Sequence, residues 1–279
     1  MEANLSVASF YHFTEIADLE EKQQELLIQA DALGLLGLVI LAEEGINGTV
    51  AGLKSCIDSY TELLKRTFSV PSKQFKTSVT SKPPFRRLKV KLREEIVTTG
   101  EWGMSPQAER HNHLSPSEWQ ALLADEDVVV IDTRNRYETA IGAFKNAIIP
   151  PIKHFSEFSD FVAGSEIPKD KKVLMYCTGG IRCEKAIFEM ERQGYEHVFQ
   201  LDGGILRYLE EFPHQDYEGE CFVFDHRVAV DQELAPSNKW TLCPQCGQPV
   251  EQYKVESQQP LPEIDFESAH KRLCGCYPD

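Results

Sequence analysis

Apolar residues recur at two spacings along this chain, and the places where the spacing changes mark its elements. Residues 7–13 read as a strand. Residues 19–33 read as a helix, with Leu19, Leu26, Leu27 and Ala30 set among Glu, Lys and Gln. The apolar run at 38–42 predicts a second strand, bounded by Glu43-Glu44-Gly45. Asn47-Gly48 is a dipeptide that supplies positive φ, so a tight hairpin is expected there, with residues 49–51 returning. A helix over 53–68 and an extended stretch over 75–97 complete the order strand, helix, hairpin, helix, strand. That order fits a small ferredoxin-like α+β domain over residues 1–100.

Residues 101–114 mix Gly, Pro, Asn and charged side chains and read as a linker. A helix then starts sharply: Ser115 caps, Pro116 suits the first helical position and Glu118 completes a capping box. From 115 to 213 the pattern is α/β. Short runs rich in apolar, β-branched residues at 128–131, 173–176 and 198–201 read as parallel strands buried on both faces. Cys183, Ala186, Ile187 and Met190 fall on one face of a helix that stops at Gly194. Such alternation places a ligand site at the carboxyl ends of the strands, and Cys177 directly follows one of them. Residues 214–279 carry few periodic signals, so this Cys-rich C-terminal region is expected to need an external staple.

A length of 279 residues suits two or three domains, with no apolar run long enough to span a membrane. The first residues lack a basic segment followed by an apolar core, so a soluble cytoplasmic protein is expected. The eight cysteines cluster unevenly, which favours metal binding or reactive thiols over a disulfide framework. A net charge of −15 argues, as an average, against a polyanionic partner.

The richest chemistry lies in Cys177-Thr178-Gly179-Gly180-Ile181-Arg182-Cys183, a loop joining a buried strand to a helix. Consecutive glycines let several N–H groups converge on one point, and the helix beginning near Arg182 adds the positive end of its dipole. An anion on the Cys177 sulfur is thereby favoured, and its pKa should be lowered. Arg182 would fix either the loop or a substrate anion. A buried, inert cysteine at a strand end is the plainer alternative.

This loop resembles that of the rhodanese family. The likeness extends to Asp132-Thr133-Arg134, Tyr137-Glu138, Ile141-Gly142-Ala143, Asn146-Ala147 and Leu201-Asp202-Gly203-Gly204, in the family's order across about residues 115–213. By that resemblance Cys177 matches the persulfide-carrying cysteine. The C-x4-R spacing is one residue shorter than the phosphate cradle of the related phosphatases. Arg134 and Glu138, four apart, are expected to pair across a helical turn. Asp132 suits either a supporting place in the site or a cap on the next helix. Cys183 suits either a resolving thiol or plain core.

Two further features sit outside that segment. Residues 82–93 hold six basic side chains and no acidic one, including Arg86, and Arg87, Lys89, Lys91 and Arg93 alternate with Leu88, Val90 and Leu92. A strand with one apolar and one cationic face suits an RNA backbone, or an edge guarded against aggregation. In the tail, Cys243-Pro244-Gln245-Cys246-Gly247 has a zinc-knuckle turn. Cys274 and Cys276 are candidates to complete a four-sulfur structural zinc site, and redox-active thiols are the competing reading.

Taken together, the chain resembles the rhodanese-domain tRNA uridine hydroxylases. Glu44-Gly45-Ile46-Asn47-Gly48-Thr49, Asp132-Thr133-Arg134-Asn135, Cys177 through Lys185 and Gly219 through Asp225 carry the likeness, while Cys274-Gly275-Cys276 departs from the family's C-x-x-C. The resemblance implies oxygen-dependent conversion of the wobble uridine of tRNA to 5-hydroxyuridine. O2 would be a co-substrate with an unnamed reductant, and Cys177 the essential cysteine. A persulfide sulfurtransferase and a non-catalytic tRNA-binding scaffold are the alternatives. The oligomeric state is not legible.

Overall fold

A computed structural model describes residues 4–100, 112–125, 127–243 and 247–252. The N-terminal sheet is built from β1 (Leu5–Phe13), β2 (Leu36–Ala42), β3 (Gly45–Gly52), β4 (Lys76–Thr80) and β5 (Leu88–Leu92), with α1 (Leu19–Ala32) and α2 (Lys54–Phe68) between them. Strand order is β4-β1-β3-β2-β5. The first four strands have the ferredoxin-like arrangement, and β5 adds a fifth, parallel to β2. The stretch expected to be extended over 75–97 is therefore two strands at opposite edges of the sheet. Pro83-Pro84 lies between them, and without N–H groups it cannot continue a ladder.

The hairpin turn also differs from expectation. Ala42 pairs with Gly45, so Glu43-Glu44 makes the turn and Asn47-Gly48 lies inside β3. Gly48 is there for close approach: a Cβ would stand 2.9 Å from the Leu38 carbonyl oxygen and 3.0 Å from the Phe10 ring. Asn47 uses its side-chain N–H to hold the Ile96 carbonyl at 3.0 Å. Both helices cover one face of the sheet, where Leu26, Ala30, Ile57, Tyr60 and Leu64 pack on Ala8, Phe10, Val39, Ile46 and Val50. The alternate residues of β1, Ser9 and Tyr11, are left for the opposite face.

The second unit contains β6 (His113–Leu114), α3 (Pro116–Leu123), β7 (Val128–Asp132), α4 (Arg136–Thr139), β8 (Gly142–Phe144), α5 (Phe158–Ala163), β9 (Lys172–Tyr176), α6 (Ile181–Arg192), β10 (His197–Leu201) and α7 (Gly204–Glu211). Four strands form a parallel sheet in the order β6-β10-β9-β7. His113 and Leu114 pair with Gln200 and Leu201, so the end of the expected linker is an edge strand. The Ser115–Glu118 capping box forms as expected. On α6 the apolar stripe Cys183, Ala186, Ile187 and Met190 is buried, but so are Glu184, Lys185 and Glu189.

Glu184 and Lys185 are buried because the two units pack together, whereas Glu189 is covered within its own unit, where it accepts from Ser159 at 2.7 Å. Tyr11 donates to Glu184 at 2.9 Å. Lys185 pairs with Glu44 at 2.9 Å and Glu95 at 2.8 Å. The Glu44 carboxylate also accepts the Ile96 N–H at 2.7 Å. On the far side, the Arg227 guanidinium, held by Asp225, reaches the Ser78 hydroxyl at 2.8 Å.

After residue 213 the chain continues through β11 (Tyr217–Gly219), β12 (Cys221–Phe222), β13 (Ala229–Val230), β14 (Trp240–Leu242) and β15 (Pro249–Glu251). Residues 217–230 need no external staple. β11 pairs with β8, and Tyr217, Cys221, Val223 and Val230 enter the core beside Phe144, Tyr176 and Tyr208. No helix among the described residues is long and apolar enough to cross a membrane.

Candidate active site

β9 delivers Cys177 to the carboxyl edge of the parallel sheet, and α6 leaves that edge at Ile181. The intervening loop curls around the sulfur. Gly180, at φ 103°, donates its N–H to Cys177 Sγ at 3.1 Å. The carbonyls of the loop are drawn the other way, to the first amides of α7. Ile205 N–H bonds the Cys177 oxygen at 3.0 Å and Leu206 N–H the Thr178 oxygen at 3.1 Å. Gly204 permits this approach, since a Cβ would stand 2.4 Å from the Cys177 oxygen. With its acceptors engaged outward, the loop has N–H groups left for an anion at its centre.

Burial alone would raise the Cys177 pKa. The Cys183 thiol, the Arg182 guanidinium and the N–H groups of Arg182 and Gly180 outweigh burial and bring it down to about 5. Cys177 is therefore a thiolate at neutral pH. Burial and the neighbouring thiolate push Cys183 well up, so it remains a protonated donor to Cys177; its hydroxyl neighbour Thr133 lies 3.5 Å away.

Arg182 takes one of its two expected places, fixing the loop, whereas Arg134 has a partner other than the expected one. Arg182 forms a buried two-pronged pair with Glu138, at 2.6 and 2.7 Å. Its charge is thus fixed beside the sulfur as part of the loop's frame. Arg134 does not pair with Glu138 across a helical turn. It pairs with Asp132 at 2.7 and 2.9 Å, and both are fully buried. The reason is chain direction: Asp132 ends β7, Arg134 folds back over it to reach the Gly142 carbonyl at 2.6 Å, and Glu138 is left facing Arg182. Asp132 and Arg134 support the sheet end from behind and do not line the cavity above Cys177.

That cavity is about 580 Å³, within the range of small-molecule sites. Cys177, Thr178, Gly179, Ile181 and Arg182 form its floor, while Tyr11, Lys76 and Phe85 come from the N-terminal unit. Phe224, exposed at its mouth, lies with its ring 5.8 Å from the Arg182 guanidinium. Among the described residues the buried Thr178 hydroxyl oxygen has no hydrogen-bond partner, which leaves a polar group available to a ligand.

A second cavity of about 760 Å³ adjoins the first and shares Leu38, Phe85, Val223, Phe224 and Asp225 with it. Arg86, Arg87, Lys89 and Lys91 line this groove. The cationic strand is β5, at the edge of its sheet, and Val90 on its inner side is buried as expected. Arg93 is exposed but lies outside the groove. Sequence reasoning missed Tyr11 and Lys76, two ordinary residues of the neighbouring strands β1 and β4 that only packing between units brings to Cys177. Phe224 stood in a segment already singled out, but without a role.

In the tail, Cys243 is buried, and its carbonyl accepts the Gly247 N–H at 2.9 Å. Cys246, Cys274 and Cys276 lie outside the described residues, and with them the zinc expectation.

Comparison with known proteins adds the family. Residues 5–96 match the UPF0176 acylphosphatase like domain and residues 115–211 the Rhodanese-like domain. A tRNA uridine(34) hydroxylase of Bdellovibrio bacteriovorus is 51% identical over 248 residues, covering 88% of this chain and 71% of its own. One from Legionella pneumophila strain Paris is 43% identical, covering 92% and 99% respectively. A third, from Synechocystis, is 42% identical over 96% of this chain and 95% of its own. An N-terminal acylphosphatase-like sheet joined to a rhodanese cradle, matched at this identity along most of its length, makes this chain a member of the tRNA uridine(34) hydroxylase family.

Proposed function

We propose that this enzyme hydroxylates C5 of uridine 34 of tRNA in the Cys177 cavity, consuming O2. The observation that carries the proposal is the junction of the two cavities: a groove lined by Arg86, Arg87, Lys89 and Lys91 opens beside the thiolate across the shared Phe85–Phe224 wall. Anticodon-loop bases are single-stranded and can be splayed out, stacked on aromatic side chains and tracked by cations along the backbone. A uracil entering past Phe224 meets a nucleophile that is already ionised.

The proposed chemistry begins with addition of the Cys177 thiolate to C6 of uracil. The electron density moves to C5, where oxygen enters. Overall, uridine, O2, two electrons and two protons give 5-hydroxyuridine and water, with the electrons drawn from an external reductant. Substitution of the wobble base by 5-fluorouracil tests the first step, because fluorine replaces the proton that must leave C5. A covalent tRNA adduct on the Cys177 peptide, absent from Cys177→Ser, is the expected result. Turnover of normal tRNA with no adduct at any fluorouridine dose would argue against attack by sulfur.

A further inference from the structure

The Cys177 cavity holds a second ionisable group that this chemistry has not yet used. Lys76 opens β4 and is only 7% exposed. Its ammonium stands 4.8 Å from the centre of the Tyr11 ring, and its hydrogen bond is to the Gln74 side-chain oxygen at 3.3 Å. No direct carboxylate pair holds it among the described residues. Burying an ammonium in this way is costly, and its stem could be replaced by an apolar residue if packing were its only purpose. It nevertheless lines the same cavity as the thiolate.

The ionisable groups around it come from three directions. Tyr11 faces it from β1, Cys177 and Glu184 from the loop and α6, Asp202 from the turn before α7, and Arg207 and Glu210 from α7 itself. Burial draws the Lys76 pKa down to about 8, with Asp202 and Cys177 holding it up and Arg207 pressing it further down. Such a group is charged at neutral pH and gives up its proton readily.

We propose that Lys76 is the general acid of the site, its ammonium bonding the C4 carbonyl oxygen of uracil and protonating it as Cys177 adds to C6. This rests on assigning uridine hydroxylation to the Cys177 cavity. The step balances without an oxidant. A sulfur lone pair forms the S–C6 bond, the C5=C6 pair becomes C4=C5, and the C4=O pair moves onto oxygen. That oxygen takes the Lys76 proton, leaving a neutral amine and an electron-rich enol at C5. Without the proton, a full negative charge would have to develop on the ring in an apolar cavity.

The test is kcat/KM for tRNA hydroxylation against pH in wild type, Lys76→Met, Lys76→Arg and Cys177→Ser, with tRNA affinity measured alongside. Wild type should rise through pH about 5 as Cys177 ionises and fall through about 8 as Lys76 loses its proton. Lys76→Met should lose roughly 10²–10⁴-fold in kcat/KM with tRNA affinity unchanged. Lys76→Arg should keep part of the activity and move the alkaline limb upward, since arginine stays protonated. Near-normal turnover in Lys76→Met, or an unmoved alkaline limb in Lys76→Arg, overturns the assignment. If Lys76→Met fails to fold, Lys76→Arg decides alone. Activity in Cys177→Ser would instead overturn the underlying reading of the cavity, whereas an inactive Cys177→Ser beside a normal Lys76→Met removes only the role of Lys76.

Discussion

At the scale of single residues, the lowered pKa of Cys177 comes from a balance in which burial is outweighed. The opposing contributions are a thiol donor, a fixed guanidinium and two backbone amides, and they place the pKa near 5. The sign for stability follows: the native state sheds a proton that the unfolded thiol keeps. The resulting stabilisation is full above the unfolded thiol's range and is lost as pH falls through about 5. Titration of the thiolate absorbance should show a midpoint near 5 in wild type. In Arg182→Met it should rise by about 1–3 pH units, since an adjacent opposite charge is removed. An unchanged midpoint would mean that the Cys183 thiol and the amides suffice. The same substitution strands buried Glu138 and should cost about 3–5 kcal/mol in urea melts. The loop itself was legible in the sequence, because Gly-Gly, Arg and the strand-to-helix context are local signals. The arginine pairings were not: Glu138 lies four residues from Arg134 and 44 from Arg182, and only the chain direction after β7 selects the distant arginine.

At the scale of elements, the decisive feature is a strand that serves two purposes. β5 is an edge strand, and charged side chains on an edge discourage pairing with other sheets. Its cations also line a groove that opens beside the Cys177 cavity, which edge protection alone does not require. Replacing Lys89 and Lys91 together by Gln should weaken tRNA binding. It should also flatten the dependence of log K on log salt by about 1.4, at roughly 0.7 per phosphate contact. An unchanged salt slope would leave β5 as a guarded edge only. Alternation made this strand visible in the sequence, but its partner was not visible. The hairpin failed for a related reason: Asn47-Gly48 carries a turn signature, while its glycine answers to the nearby Leu38 carbonyl and Phe10 ring. On α6, periodicity found the apolar stripe and missed Glu184 and Lys185, whose burial depends on another unit.

At the scale of the whole molecule, the cavity exists only because the N-terminal sheet is seated on the rhodanese loop. Tyr11, Lys76 and Phe85 come from one unit and Cys177, Thr178 and Arg182 from the other, held in register by Glu44–Lys185, Tyr11–Glu184 and Arg227–Ser78. A lone rhodanese domain would present the same cradle without this wall. That architecture relates a sulfur-chemistry loop to a nucleic-acid substrate, and the Glu44 carboxylate is one of the groups that tie the two units together. The most direct measurement is nucleoside mass spectrometry of tRNA incubated with the purified protein in labelled O2 and a thiol reductant. The expected result is 5-hydroxyuridine at position 34 carrying one labelled oxygen with wild type, and none with Cys177→Ser. Labelled 5-hydroxyuridine formed equally by Cys177→Ser, or a thiolated base in its place, would contradict the account.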